Sequence, residues 1–394
     1  MTPDRKLARS VLTLAAGLAV ALGAPAFGAD GATPHLDLTA AQWHEDLAAL
    51  AHGLPQGGVS NDQVAALDSR LDRADGDEAF VGLQAIAASA GATLVEPADR
   101  QDMPFVFARF GSAIRVVAAG PGLEDTLGAR VTRVGTAPIS DVWSRLLALT
   151  PQGAPESVRN ARALAYLARG YVLHGLDVTS DRSHALYSFA RDDGKTLGFN
   201  VKGAGPGEAR PLKPGYSQAA LRFQQSDAAF GCKPVPDHSA LYCAWRGDDA
   251  LDANAKAMFA QIDQTHPAKL VLDMRDYRGD GTSGAAALVE AIKARADLNA
   301  KGHLYVLVGS ESPAGVMAFR DETAATLCGE TVSVAPGASA DASTLRLPNG
   351  DLTVRLAASG HAAVETVHPA QEIAASWSDM KAGRDPALDW VLAQ

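Results

Sequence analysis

Apolar positions change their period along this chain. Residues 39 to 90 follow the helical period. TAAQWHEDLAALAHGL places Trp43, Leu47 and Leu50 on one face, SNDQVAALDSRLDRA opens on a Ser/Asn cap, and DEAFVGLQAIAASAGA ends at a glycine. From about residue 104 the period shortens to two. FVFARF, IRVVAAG and ARVTRVGTAPI read as strands with glycine turns between them, the last passing through a tight turn into a helix at ISDVW. SVRNARALAYLARGYVLHGL is a helical insert, after which HALYSFARDDGKTLGFNV and ALYCAW return to strand. From about 251 strand and helix alternate: helix ANAKAMFAQIDQ, strand AKLVLDM, helix GAAALVEAIKA, strand HLYVLVG, helix AGVMAFRDETA, strand ETVSVA. Unbroken apolar runs such as KLVLDM and LYVLVG suit strands covered on both faces by helices, so the last third reads as an α/β core.

The first residues change the picture of where the protein works. Arg5, Lys6 and Arg9 precede an apolar run from Val11 to Leu22, and Ala24-Pro-Ala26 follows as an A-x-A site. Residues 1–26 are therefore expected to be a secretory signal peptide, too short in its apolar part to span a membrane, and the mature protein is expected to be periplasmic or secreted. No cysteine near the site suggests a lipid anchor, and no later segment is apolar enough to cross a bilayer. The 394 residues, 47% hydrophobic and 20% charged, have ordinary globular composition. A net charge of −10 with no basic stripe excludes a nucleic-acid partner. Cys232 and Cys243, in GCKPVPDHSALYC, could bridge in an oxidising compartment, while Cys328 reads as a small buried hydrophobe. With no C-x-x-C and no His-rich cluster, neither a metal nor a cofactor is expected.

Two turns at strand ends carry the candidate chemistry. LVLDMRDYRGDGTSG runs from a strand through Asp273 and Arg275 into a turn with Gly279 and Gly281, whose backbone N–H groups suit an oxyanion site. GHLYVLVGSESPAGVMAFRDETAATLCGE runs from a strand through a small-residue turn into a helix. The first segment resembles the D-L-R-x-N-x-G-G-D strand-turn of the C-terminal-processing (tail-specific) serine peptidase family, matching at Asp273, Arg275 and Gly279, with Tyr277 in place of the asparagine and Asp280 in place of the second glycine. LRLPNGDLTVRL is similar to the family's L-P-N strand, AGRDPALDWVL to its terminal helix, and LGARVTRVGTAPISDV to the opening of its middle β-domain.

The resemblance covers roughly residues 40 to 394. It implies a crotonase-like β-β-α core (216–394), an N-terminal helical cap (35–98) and a β-rich middle region with a helical insert (99–215). It places the glycine turn (Gly279, Asp280) and the N–H of Gly315 in the oxyanion cleft. An ungapped count from Val308 puts Ala314 at the family's nucleophile position, and a slide of two residues puts Ser312 there instead.

A serine needs a partner that takes its proton. The family's lysine position, on the strand after Gly329 and Glu330, is empty, since no lysine occurs between there and Lys381. The family's histidine position, in SAGAT, holds Ala92. His303 starts its strand at the end opposite the turn, and His174 and His184, in or near the insert, read as solvated or packed; His361 and His368 flank the C-terminal strand. The expectation is a catalytically degenerate, exported relative that binds a peptide or protein C-terminal segment in the retained cleft. The alternative is an active serine peptidase using Ser312 with an unseen base, and a third reading is a scaffold whose cleft is vestigial.

Overall fold

The computed structural model describes residues 34–394 except 56–57, 98, 206–207, 209–211, 225–228, 248–249, 278–281, 310–311, 335–342 and 357–364. The expected signal peptide lies outside the described residues. No helix among them is long and apolar enough to cross a membrane.

Three helices come first: α1 (Ala40–Gly53), α2 (Asn61–Leu71) and α3 (Gly76–Ser89). Thr39 with Gln42, and Asp75 with Glu78, form reciprocal capping boxes at the starts of α1 and α3, satisfying N–H groups that a helix leaves unpaired. Ser60 stands at the N-cap of α2, but its side chain makes no cap bond. Trp43, Leu47 and Leu50 are buried, as the helical stripe predicts.

A largely antiparallel sheet follows, built in the order β1 (Phe105–Phe110), β2 (Ala113–Ala119), β3 (Arg130–Val134), β4 (His184–Ala190), β5 (Thr196–Lys202), with short strands Ala137–Pro138 on β3 and Lys213–Pro214 on β2. The helix expected at ISDVW is α4 (Ile139–Ala148), and the insert that follows it is α5 (Glu156–Tyr166) and α6 (Gly170–Gly175). Alternation along β1 turns Phe105 and Phe107 inward against Tyr187 and Phe189 of β4. The N-terminal helices and this sheet share one apolar core.

The last part is a six-stranded sheet. Its order is β11 (Gln371–Glu372), β10 (Thr326–Gly329), β9 (Leu304–Val308), β8 (Lys269–Asp273), β7 (Ala240–Trp245), β6 (Phe230–Val235), parallel throughout except for the edge strand β6. Helices α7 (Leu251–Thr265), α8 (Thr282–Lys293) and α9 (Val316–Glu322) contribute to one apolar cluster, and α10 (Pro386–Leu392) to a second on the other face. Residues 270–273 and 304–308 are buried without alternation, as strands covered on both faces must be. The strand expected at ETVSVA lies apart from this sheet, where Val332–Val334 pairs with Glu365–Val367.

LRLPNGDLTVRL returns to the start of the chain. Its strand Thr353–Arg355 pairs with Thr93–Leu94, and Leu347, Leu352 and Val354 join the N-terminal core. Asn349 is the clasp: its N–H donates to Asp46 Oδ1 (2.9 Å), and its side-chain amide reaches Asp46 and the Gln42 carbonyl.

Cys232 and Cys243 face each other across β6 and β7 and are bonded. Cys328 is buried, with burial lifting its thiol to about 11. The bridge closes a loop of sequence separation 11, for which loop-closure entropy is worth about 2–3 kcal/mol. Cys232→Ser/Cys243→Ser is accordingly expected to lower the urea-unfolding free energy by that amount, while reductant leaves the variant's midpoint unchanged.

Candidate functional site

The turns after β8 and β9 meet because these strands are parallel neighbours, in register from Leu270 with Leu304 to Asp273 with Leu307. Ser312 Oγ, from the second turn, donates to the Met274 carbonyl in the first (2.9 Å). A Cβ on Gly309 would sit 3.2 Å from Arg275 Cβ, so the turns touch at backbone level.

Arg275 organises the first turn. It lies between two carboxylates, with Nε and Nη2 on Asp273 (2.9 and 2.6 Å) and Nη1 and Nη2 on Asp385 (2.7 and 2.6 Å). Tyr242 Oη adds a 2.6 Å bond to Asp273. All three charged groups are at most 8% exposed. Burial alone would raise the Asp273 carboxyl, but the adjacent guanidinium outweighs it and holds Asp273 well below the usual carboxylate range. Asp385 is also the N-cap of α10, accepting from Leu388 N–H, with Pro386 at the first helical turn. The two motifs LVLDMRD and GRDPALDW are thereby joined through one arginine. Next to them Arg222, from the short helix Leu221–Gln224, pairs with Asp276 through two bonds of 2.7 and 2.6 Å.

The second turn holds no activated hydroxyl among its described residues. Ser312 is 6% exposed; its Oγ accepts from Gly309 N–H (2.9 Å) while giving its proton to the Met274 carbonyl. An amide carbonyl is not a base, so this hydroxyl ties two turns together. Ala314 is partly buried against the apolar cluster under α9, and Gly315 stands at the N-cap of that helix. Gly279 and Asp280 lie outside the described residues, as do Ser310 and His361. Ala92 is 1% exposed, packed in the N-terminal core.

The histidines are engaged elsewhere. His174 bonds Asp75 and the Thr179 carbonyl, His184 bonds Ser183, and His368 bonds Thr331. His303 precedes β9 at the end away from the turn. Among the described residues no group of three His, Cys, Asp or Glu side chains could hold a metal ion.

A cavity of about 520 Å³ opens beside these turns. One wall is Arg275, Asp276, Val308, Gly309, Glu330 and Asp385; another is the whole of β1, the edge strand of the middle sheet; a third is α5, through Ala161, Leu164 and Ala165. Phe223 and Met380 pack with Val106, Ala108 and Phe110 on the outer face of β1. No histidine and no lysine is among the described residues that line it. The edge strand, Asp385 and the Arg222–Asp276 pair are contributions that local sequence reading misses. Only the aspartate of GRDP, a helix N-cap before proline, carried a visible signal.

Solved structures share this architecture. Mature CPAF complexed with lactacystin matches with a TM-score of 0.62 at 12% identity, over 90% of this chain and 98% of that one. Mature CPAF matches with a TM-score of 0.60 at 13% identity, over 90% and 96%. The chain has the tail-specific peptidase fold. That fold includes the helical N-terminal part and the β-rich middle as well as the α/β core, because the match spans nine-tenths of the chain. No family model matches the chain, and no curated protein does.

Proposed function

We propose that this protein is an exported, catalytically degenerate relative of the tail-specific peptidases, and that it binds an extended peptide or protein C-terminal segment in the cavity between β1 and α5. The observation that carries the reading is the commitment of the Ser312 hydroxyl to Met274 and Gly309, at the turn where a nucleophile would stand. Ala92 at the family's histidine position and the missing lysine after Glu330 support the same reading. The cavity offers what strand addition needs: an edge strand supplies main-chain hydrogen bonds, and apolar walls take alternate side chains. Its volume lies in the range of ordinary ligand sites.

A fluorophosphonate probe labels only an activated serine. Full-length mature protein is expected to remain unlabelled, and to cleave an unstructured substrate no faster than Ser312→Ala, since general-base help is worth about 100- to 10,000-fold. In a peptide array the wild type is expected to bind a subset of extended peptides that Ala161→Trp, which fills the cavity, does not bind. Labelling and turnover that Ser312→Ala abolishes would establish the active-peptidase alternative. Equal binding by wild type and Ala161→Trp would leave the cavity vestigial.

A further inference from the structure

His174 sits at the junction of the N-terminal helices and the middle region. Its Nε2 lies 2.7 Å from Asp75 Oδ2 and its Nδ1 3.1 Å from the Thr179 carbonyl oxygen. Both partners are acceptors as the carboxylate and the amide stand, and a neutral imidazole can donate from only one nitrogen. The full pair of bonds therefore requires the imidazolium. Burial pulls the His174 pKa down, but the Thr179 carbonyl and the Asp75 carboxylate together hold it above its ordinary value.

The buried carboxylate of Asp77 acts on His174 in the same direction. Asp77, 5% exposed on α3, faces Arg182 Nη2 at 3.0 Å, and burial lifts its carboxyl to about 6 even against that guanidinium. Arg182 is shared with Asp99, Asp181 is bonded to Ser183 and His184, and Glu78 is bonded to the Asp75 N–H. From α4, Arg145 reaches the Leu176 carbonyl at the far end of α6. The elements meet closely: a Cβ on Gly175 would lie 2.5 Å from the Asp77 carbonyl oxygen, and Phe80 stacks edge-on against Tyr171 at 5.7 Å.

We propose that His174 is a pH-operated latch between α3 and α6, closed when its imidazole is protonated and loosened when the proton is lost. The sign follows from proton binding. The latched state takes up a proton on His174, and one on Asp77, more readily than the opened state does, so mild acid favours it and a rise through neutral pH releases it. Asp75, whose carboxyl is held below its ordinary range, reverses the trend only in stronger acid. Ala168 and Arg169, immediately before α6, line the cavity, so loosening of α6 reaches the cavity wall. The latch rests on the bonds His174 makes and not on the identity of what the cavity binds.

Native-state hydrogen exchange on the mature protein tests this, with rates corrected for the intrinsic pH dependence. The opening equilibrium of the α6 amides in the wild type is expected to rise several-fold between pH 5.5 and pH 8. His174→Gln, which keeps one donor but cannot charge, should cut that rise to the part that Asp77 supplies. Asp77→Asn in the same background should flatten it further. A rise in His174→Gln equal to that of the wild type, or no rise in the wild type, overturns the proposal. His44→Gln, which removes a half-buried histidine of α1 held between Asp68 of α2 and its C-cap Asp72, should leave the α6 response unchanged.

Discussion

Replacing Arg275 by methionine is expected to cost about 3–5 kcal/mol of folding stability, the range found when one member of a buried ion network is removed. The reason is the arrangement of charge. Asp273 and Asp385 are both buried and both bonded to the one guanidinium, so its loss leaves two buried carboxylates without the guanidinium that bonds them both. Urea unfolding at pH 7 measures the loss.

The pH dependence separates this cause from simple loss of packing. In the wild type Asp273 is depressed well below its ordinary pKa, so its contribution is present above pH 4 and disappears as pH falls through the folded-state value. In Arg275→Met the same carboxyl, buried and unpaired, favours its protonated form, and stability should rise on acidification from pH 7 to pH 5. Asp273→Asn and Asp385→Asn, added to Arg275→Met, should recover most of the loss, because asparagine caps α10 as well as aspartate does. A single variant with the wild-type midpoint would show that the network is not a structural tie.

Gly329→Ala is expected to cost about 2–5 kcal/mol, combining backbone strain with overpacking. Gly329 ends β10 at a φ of +135°, which side-chain-bearing residues rarely adopt, and an added Cβ would lie 2.0 Å from the Val308 carbonyl oxygen. That oxygen accepts from Glu330 N–H, and Val308 leads directly into the Gly309–Ser312 turn, so the clash falls on the strand end that forms the cavity wall. Gly302→Ala is the control. Its φ is +87°, but nothing lies within 4 Å of the added Cβ, so only the left-handed backbone cost of about 1–2 kcal/mol should appear. Equal losses in the two variants would remove the steric argument.

Much of this protein was legible in its sequence, and the physical reasons are specific. The helical stripe of Trp43, Leu47 and Leu50, the alternation in FVFARF and the unbroken runs KLVLDM and LYVLVG each encode which faces are covered, because side-chain direction follows from backbone period alone. The meeting of the two turns was also legible, since consecutive parallel strands bring their ends to one edge of a sheet. The alanine at position 92 and the absence of a lysine between Glu330 and Lys381 can be read directly.

Tertiary structure decided what each polar group touches. A sequence presents Ser312 as a hydroxyl at a strand end, and only the approach of Met274 and Gly309 turns it into a tie between turns. Asp385 is 110 residues from Arg275 along the chain yet bonds it through both oxygens. LRLPNGDLTVRL follows the α/β core in sequence but closes the N-terminal core, through a pairing of Thr353–Arg355 with Thr93–Leu94 that no local pattern specifies. The edge of β1 became a cavity wall in the same way. Period and propensity are properties of neighbouring residues, whereas a hydrogen-bond partner, a buried charge and a free strand edge depend on which distant segments arrive beside them.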